Sequence, residues 1–128
     1  MIVEQISVFV ENKAGSIEKV TIALANAGIG IRTFCTEDGS DFGILRMLVT
    51  DPKKAESVLK DNGFSAFCNK VVAAKCANKT GSLAYLLNKL AERNVSVEYM
   101  YAFQDNDEAR VVLRTKDVEL CNTIIEEQ

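Results

Sequence analysis

Six residues of this chain recur almost unchanged. Asn12-Lys13-Ala14-Gly15-Ser16-Ile17 returns as Asn78-Lys79-Thr80-Gly81-Ser82-Leu83, 66 residues further on. The same offset carries Asp41 onto Asp107 and Asp51 onto Asp117 without a gap. Only eight of 62 positions are identical at that offset, but four of the eight fall in the one block. Clustering of that kind marks a duplicated unit with one constrained loop, and the repeat fixes where every other element must lie.

The repeat divides the 128 residues into units 1–69 and 70–128. A unit of this size is near the lower limit for a core of its own, so the two are expected to pack on each other or on another chain. Apolar content of 48% suffices for a packed core, and 26% charge is ordinary for a water-soluble protein. No apolar run approaches the ~18 residues of a membrane span. No basic segment precedes an apolar stretch near Met1, so a cytoplasmic location is expected, with no membrane partner.

The net charge of −3 argues against a nucleic-acid partner, whose phosphates call for a basic surface. Cys35, Cys68, Cys76 and Cys121 lack Cys-x-x-Cys spacing, and the chain has no histidine. Zinc would need thiolates from distant positions without imidazole, so no metal and no cofactor are expected, and the four cysteines read as reduced, partly buried thiols. Without histidine, Ser-His-Asp and Cys-His catalysis are closed to this chain alone.

Each repeat reads β-α-β-β-α-(β). Residues 5–11 alternate, with Ile6, Val8 and Val10 on one face, and Val72, Ala74 and Cys76 match them. Ser16 and Ser82 are expected to cap the helices that follow. Ile17, Val20 and Leu24 form one helical stripe, and Leu83, Leu86, Leu87 and Leu90 the other. Gly28 and Asn94, one repeat apart, both tolerate the left-handed conformation and predict a C-terminal cap. Strands are expected at 29–37 and 95–103, then at 43–50 and 109–116, joined by turns at Asp38-Gly39-Ser40-Asp41 and Gln104-Asp105-Asn106-Asp107. Asp51-Pro52 and Asp117 open the second helices. Residues 64–69 make a fourth strand running into the second repeat, which lacks a fourth strand of its own. The order specifies an α+β fold, two ferredoxin-like repeats with antiparallel sheets side by side and helices on one face. Val71, Ala73, Ile44, Leu48, Tyr99 and Tyr101 fall to the other face or to edges, where a buried interface is expected.

The repeated loop joins a strand to a helix. A helix start offers unpaired N–H groups and positive potential, suited to a carboxylate or phosphate. Glycine permits close approach, and an asparagine amide can accept from an ammonium group while donating to a carboxylate. Such a loop suits an α-amino acid. It equally suits a plain helix start with an Asx-turn, and Lys13 and Lys79 read as solvated.

Residues 12–31, Asn-Lys-Ala-Gly-Ser-Ile-Glu-Lys-Val through Leu-Ala-Asn-Ala-Gly-Ile-Gly-Ile, resemble the signature of ACT domains, and Asn78 through Val97 resemble it again. The resemblance implies two tandem ACT domains without a catalytic partner domain. It implies an amino-acid site at the loop between first strand and first helix, at an interface between ACT sheets. By that resemblance Asn12, Ala14, Gly15 and Ser16, with Asn78, Thr80, Gly81 and Ser82, inherit the ligand role. Ile31 and Val97, on the second strands, would sense the ligand's side chain. The chain departs from the signature where Asn stands for Asp at 12 and 78, and where Ala14 and Thr80 stand for Pro.

The expectation is therefore a non-catalytic, homodimeric sensor of a small amino acid, acting on a partner enzyme or transporter. A close variant is a regulatory subunit of an amino-acid biosynthetic enzyme, like the small subunit of acetolactate synthase. From other classes come a ferredoxin-like enzyme using Asp41 and Asp107, with the acidic run 105–108, and an RNA-binding sheet stacking bases on Tyr99 and Tyr101.

Overall fold

Strands and helices follow the order read from the sequence, and local chemistry explains where each ends. The computed structural model describes residues 1–37, 39–106 and 108–127. Asp38 of the first expected turn, Asp107 of the second, and Gln128 lie outside the described residues. The chain forms two compact units, one of Glu4–Asn69 and one of Met1–Val3 with Lys70–Gln128.

In the unit Glu4–Asn69, β1 (Ile2–Glu11) leads to α1 (Ser16–Asn26), β2 (Ile31–Glu37), β3 (Phe42–Val49), α2 (Pro52–Asp61) and the first part of β4 (Ser65–Ala77). The strands lie in the order β2-β3-β1-β4. Ile6 stands opposite Met47 and Val8 opposite Leu45. Period two puts these four on one face, where Val20 and Leu24 of α1 and Ala55 and Leu59 of α2 close over them. The opposite face buries polar groups at its centre. The Gln5 amide donates to Ser7 Oγ (3.3 Å) and Asn69 Oδ1 (3.2 Å), and Ser7 Oγ donates to the same Asn69 oxygen at 3.3 Å. Buried polar side chains require such partners.

The second unit takes β4 from Lys70 onward, then α3 (Ser82–Glu92), β5 (Tyr99–Asp105), β6 (Glu108–Arg114) and α4 (Val118–Glu126). Val72 faces Leu113 and Ala74 faces Val111 across the ladder. Leu86, Leu90, Cys121 and Ile124 of the helices pack on them. The fourth strand comes from the N-terminal residues. Ala73 N–H donates to the Met1 carbonyl at 2.8 Å, and the Met1 ammonium donates to the Ala73 carbonyl at 3.1 Å, the reciprocal pair of an antiparallel ladder. Away from the helices Val71, Ala73 and Val112 are buried, with Val112 between Ala73 and Tyr101 in register. In the other unit Leu48 is buried likewise, while Ile44, Tyr99 and Tyr101 are half-buried in theirs. The fold is thus α+β, with ferredoxin-like βαββαβ repeats.

Gly28 and Asn94 do end α1 and α3, at φ 74° and 58°. The Ile29 N–H reaches the Leu24 carbonyl and the Val95 N–H reaches that of Leu90, closing the same left-handed cap twice. Asp51 and Asp117 accept from Lys54 N–H (3.1 Å) and Leu120 N–H (3.0 Å) as expected of N-caps. The serines do not cap. Gly15 and Gly81 hold the N-cap positions in the left-handed conformation, placing Ser16 and Ser82 one residue inside the helix, with no side-chain cap bond. The strand expected at 95–103 begins only at Tyr99, because β6 ends at Arg114 and its Arg114 carbonyl takes the Glu98 N–H as the last rung. Val97 therefore precedes the strand rather than lying on it.

The four cysteines are free thiols, Cys76 and Cys121 buried and Cys35 and Cys68 partly so. Burial pushes the Cys35, Cys68 and Cys121 thiols above their ordinary range. Among the described residues, no helix is long and apolar enough to cross a membrane. Replacing either capping carboxylate, Asp51→Ala or Asp117→Ala, is expected to cost about 1 kcal/mol. The measurement is a urea melt, in which the midpoint falls at constant slope. An unchanged midpoint would show that the carboxylates do not cap.

Candidate functional site

Both loops are built from the same hydrogen bonds. The Lys13 N–H donates back to the Glu11 carbonyl at 2.9 Å and the Lys79 N–H to that of Ala77 at 2.9 Å. A left-handed glycine follows, at φ 86° for Gly15 and 89° for Gly81. The Ser16 N–H then returns to Lys13 and the Ser82 N–H to Lys79, at 3.3 and 3.2 Å. The Lys19 and Tyr85 N–H groups close the first turns onto the Gly15 and Gly81 carbonyls. The donors between, on Ile17 and Glu18 and on Leu83 and Ala84, are those a helix start leaves for an anion.

Around this common backbone the concavities differ. In the first repeat Asn12 lines a cavity of about 130 Å³ that opens toward β2 and β3, with Lys13, Thr36 and Glu37 on its polar side and Ile17 and Ile44 on its apolar side. The Asn12 N–H donates to the Asp41 carbonyl at 2.9 Å, and its side-chain amide to the Gly39 carbonyl at 3.4 Å. Its NH₂ is thus directed to the β2–β3 turn. Glu37 accepts from Arg46 at 2.7 Å, and Lys13 pairs with Glu11 at 3.0 Å. Ser16 lines a different cavity, about 270 Å³, toward α1 and the start of β4, walled by Phe9, Phe42 and Phe64. In the second repeat Thr80, Gly81 and Ser82 together line a cavity of about 520 Å³ beside α3.

The remaining expected residues are placed differently. Ile31 packs against the first core and Val97 against the second, so both are held by the hydrophobic interior. Ala14, Gly15 and Asn78 are exposed on the loops. Sequence reasoning set Lys13 and Lys79 aside, yet each lines a cavity. It also passed over Lys75, Tyr85 and Lys89. The spacing of Tyr85 and Lys89, one helical turn apart, was the available signal, and Lys89 Nζ lies 5.9 Å from the Tyr85 ring centre. Asp105 of the acidic run pairs with Arg110 at 3.4 Å. Among the described residues no three Cys, Asp or Glu side chains group as a metal site.

Each ferredoxin-like repeat thus turns from strand to helix through a left-handed glycine beside a concavity. The chain belongs to the ACT domain pair family, which matches it over residues 1–128. Among solved structures it is similar to protein BT0572 from Bacteroides thetaiotaomicron, at 40% identity and a TM-score of 0.93, over 98% of this chain and 88% of that one. It also resembles the ligand-free regulatory subunit of aspartate kinase from Thermus thermophilus, at 15% identity and a TM-score of 0.68, over 98% and 95% of the two chains. The regulatory subunit from Thermus flavus gives 17% and 0.65, over 98% and 93%. At such identities the aspartate kinase likeness concerns the fold. No curated protein matches the sequence.

The left-handed glycines are testable. A Cβ at Gly81 would meet nothing within 4 Å, so the cost of a side chain there is purely conformational. Gly81→Ala is expected to lose about 1–2 kcal/mol, and Gly81→Asn clearly less, because Asn visits this region more readily. Thermal unfolding of both variants measures the difference. Equal losses would exclude backbone conformation as the cause.

Proposed function

We propose that this protein is a non-catalytic regulatory protein that binds a small amino acid at the loop between β1 and α1. The observation that carries the reading is the mixed charge of the small cavity at Asn12. Lys13 and the first-turn donors of α1 suit a carboxylate, while Glu37 and the Asn12 carbonyl suit an ammonium group. A volume of about 130 Å³ with Ile17 and Ile44 at its wall favours a short side chain.

The ligand acts by binding one arrangement of the protein better than another, since only differential affinity shifts a population. The target is a partner enzyme or transporter, reached through the surfaces of the repeats. Phe34 and Phe42, 65% and 57% exposed, are apolar surface of the kind that association covers, in a homodimer or with that partner. Four free thiols fit a reducing, cytoplasmic setting.

A thermal-shift screen of the twenty amino acids at about 10 mM tests the reading. The cognate ligand stabilises by RT ln(1 + [L]/Kd), about 2.7 kcal/mol at a hundredfold excess over Kd. Glu37→Gln and Lys13→Gln are each expected to weaken it roughly tenfold, as loss of a charged hydrogen-bond partner does. A flat screen would overturn the proposal, as would full binding by the double variant.

A further inference from the structure

We propose that β5 is a docking edge, and that it takes an extended segment of the partner protein whose apolar centre is flanked at both ends by lysine or arginine. In its unit β5 is the outermost strand, and among the described residues it pairs with β6 alone. An open edge presents a row of backbone donors and acceptors to any strand that fits. Asp105 faces Glu108 with two residues between them, the hydrogen-bonded pair that closes a two-residue hairpin. Alternation from that pair turns the N–H and C=O groups of Met100, Ala102 and Gln104 away from β6. Their side chains are exposed as well.

The devices that keep an edge from pairing are missing from β5. From Tyr99 to Asp105 it holds no lysine, arginine or proline, and its register with β6 runs without a shift. Tyr99, Tyr101 and Phe103 give it the composition of a pairing strand. The outermost strand of the other unit, β2, is guarded. It carries Arg32, and its register shifts between Ile31 and Thr33.

Charge decides which strand joins. Residues 95–109 hold Glu98, Asp105, Asp107 and Glu108 and no basic residue. Asp105 is paired with Arg110 at 3.4 Å. Among the described residues, Glu98 and Glu108 have no basic side chain within ion-pair distance. The acids bracket the strand, one before Tyr99 and the others at its far end. A second copy, related by a two-fold axis, would pair antiparallel and bring Glu98 of each copy to the acidic run of the other. Acid would then meet acid at both ends. A segment with a cation at each end meets an acid at each instead, and its alternate apolar side chains would lie beside Met100 and Ala102. The inference rests on the reading above for the existence of a partner, and adds where that partner engages.

Fluorescence anisotropy on the full chain, with no amino acid present, tests it, so that a failed amino-acid screen and a failed docking edge are separate results. The probe is a labelled peptide, Lys-Lys-Thr-Val-Thr-Val-Thr-Lys-Lys, compared with the same peptide carrying glutamate for every lysine. The basic peptide is expected to bind at least about tenfold tighter than the acidic one, and to weaken as salt screens its ends. Ala102→Pro removes an outward N–H and leaves the β6 ladder its bonds. It should lower the affinity about tenfold while circular dichroism keeps the folded spectrum. Glu98→Lys combined with Glu108→Lys should reverse the preference to the acidic peptide, which a loss of folding would not do. Arg32→Glu on β2 should leave binding unchanged. The proposal is overturned if the basic peptide does not bind at about 1 mM, or binds no better than the acidic one. It also fails if the Ala102→Pro variant binds undiminished, or if sedimentation shows a dimer that Ala102→Pro dissociates, since a second copy then holds the edge.

Discussion

The turns from β1 into α1 and from β4 into α3 each pass through one left-handed residue, Gly15 and Gly81, at φ 86° and 89°. The rest of each loop follows from that angle. It brings the Ser16 and Ser82 N–H groups back onto Lys13 and Lys79, and it aims the first turns of α1 and α3 at the strand ends. It also decides what the serines are for. A serine at the N-cap would direct its hydroxyl at the helix's own donors, competing with any ligand for them. With glycine at that position, the donors are left to whatever enters the cavity.

The features legible in the sequence are those a single residue type can enforce. Asp51 and Asp117 cap because a short carboxylate before a helix has one favourable partner, and Pro52 fits the first turn. Gly28 and Asn94 are the residues that adopt the left-handed end cheaply, and both do. The core stripe of Ile6 and Val8 follows from period two alone. The loop's Gly-Ser pair was ambiguous because both residues serve at helix starts, and only the backbone angle distinguishes which of them occupies the cap.

What stayed hidden depends on distant partners. The far face of β4 reads as Val71 and Ala73, small apolar groups, yet register places Val112 beside Ala73 and Tyr101 on the far side of Val112. The fourth strand of the second repeat arrives as Met1–Val3, some seventy residues away in sequence, through a ladder pair at Ala73 that no local pattern announces. Val97 looked like a strand residue because it is β-branched, but a strand needs a partner, and β6 stops at Arg114.

The divergence of the two loops then bears on what a family signature can mean. The backbone bonds of Lys13, Ser16 and Lys19 recur at Lys79, Ser82 and Tyr85, so the loop's geometry is common to both repeats. Charge is not. Around the first loop, Glu11 and Glu37 sit within reach of Lys13 and Arg46, giving a balanced, mixed environment. Around the second, Lys75 and Lys89 join Lys79 without an acid in the lining. Apart from Lys13 and Lys79, these residues lie on β1, β2, β3, β4 and α3, outside the repeated block itself. The motif specifies a backbone turn that leaves the first N–H groups of a helix without intrahelical partners. Most of the charge around each loop comes from side chains that the motif does not contain, so two copies of one backbone turn stand in different electrostatic surroundings.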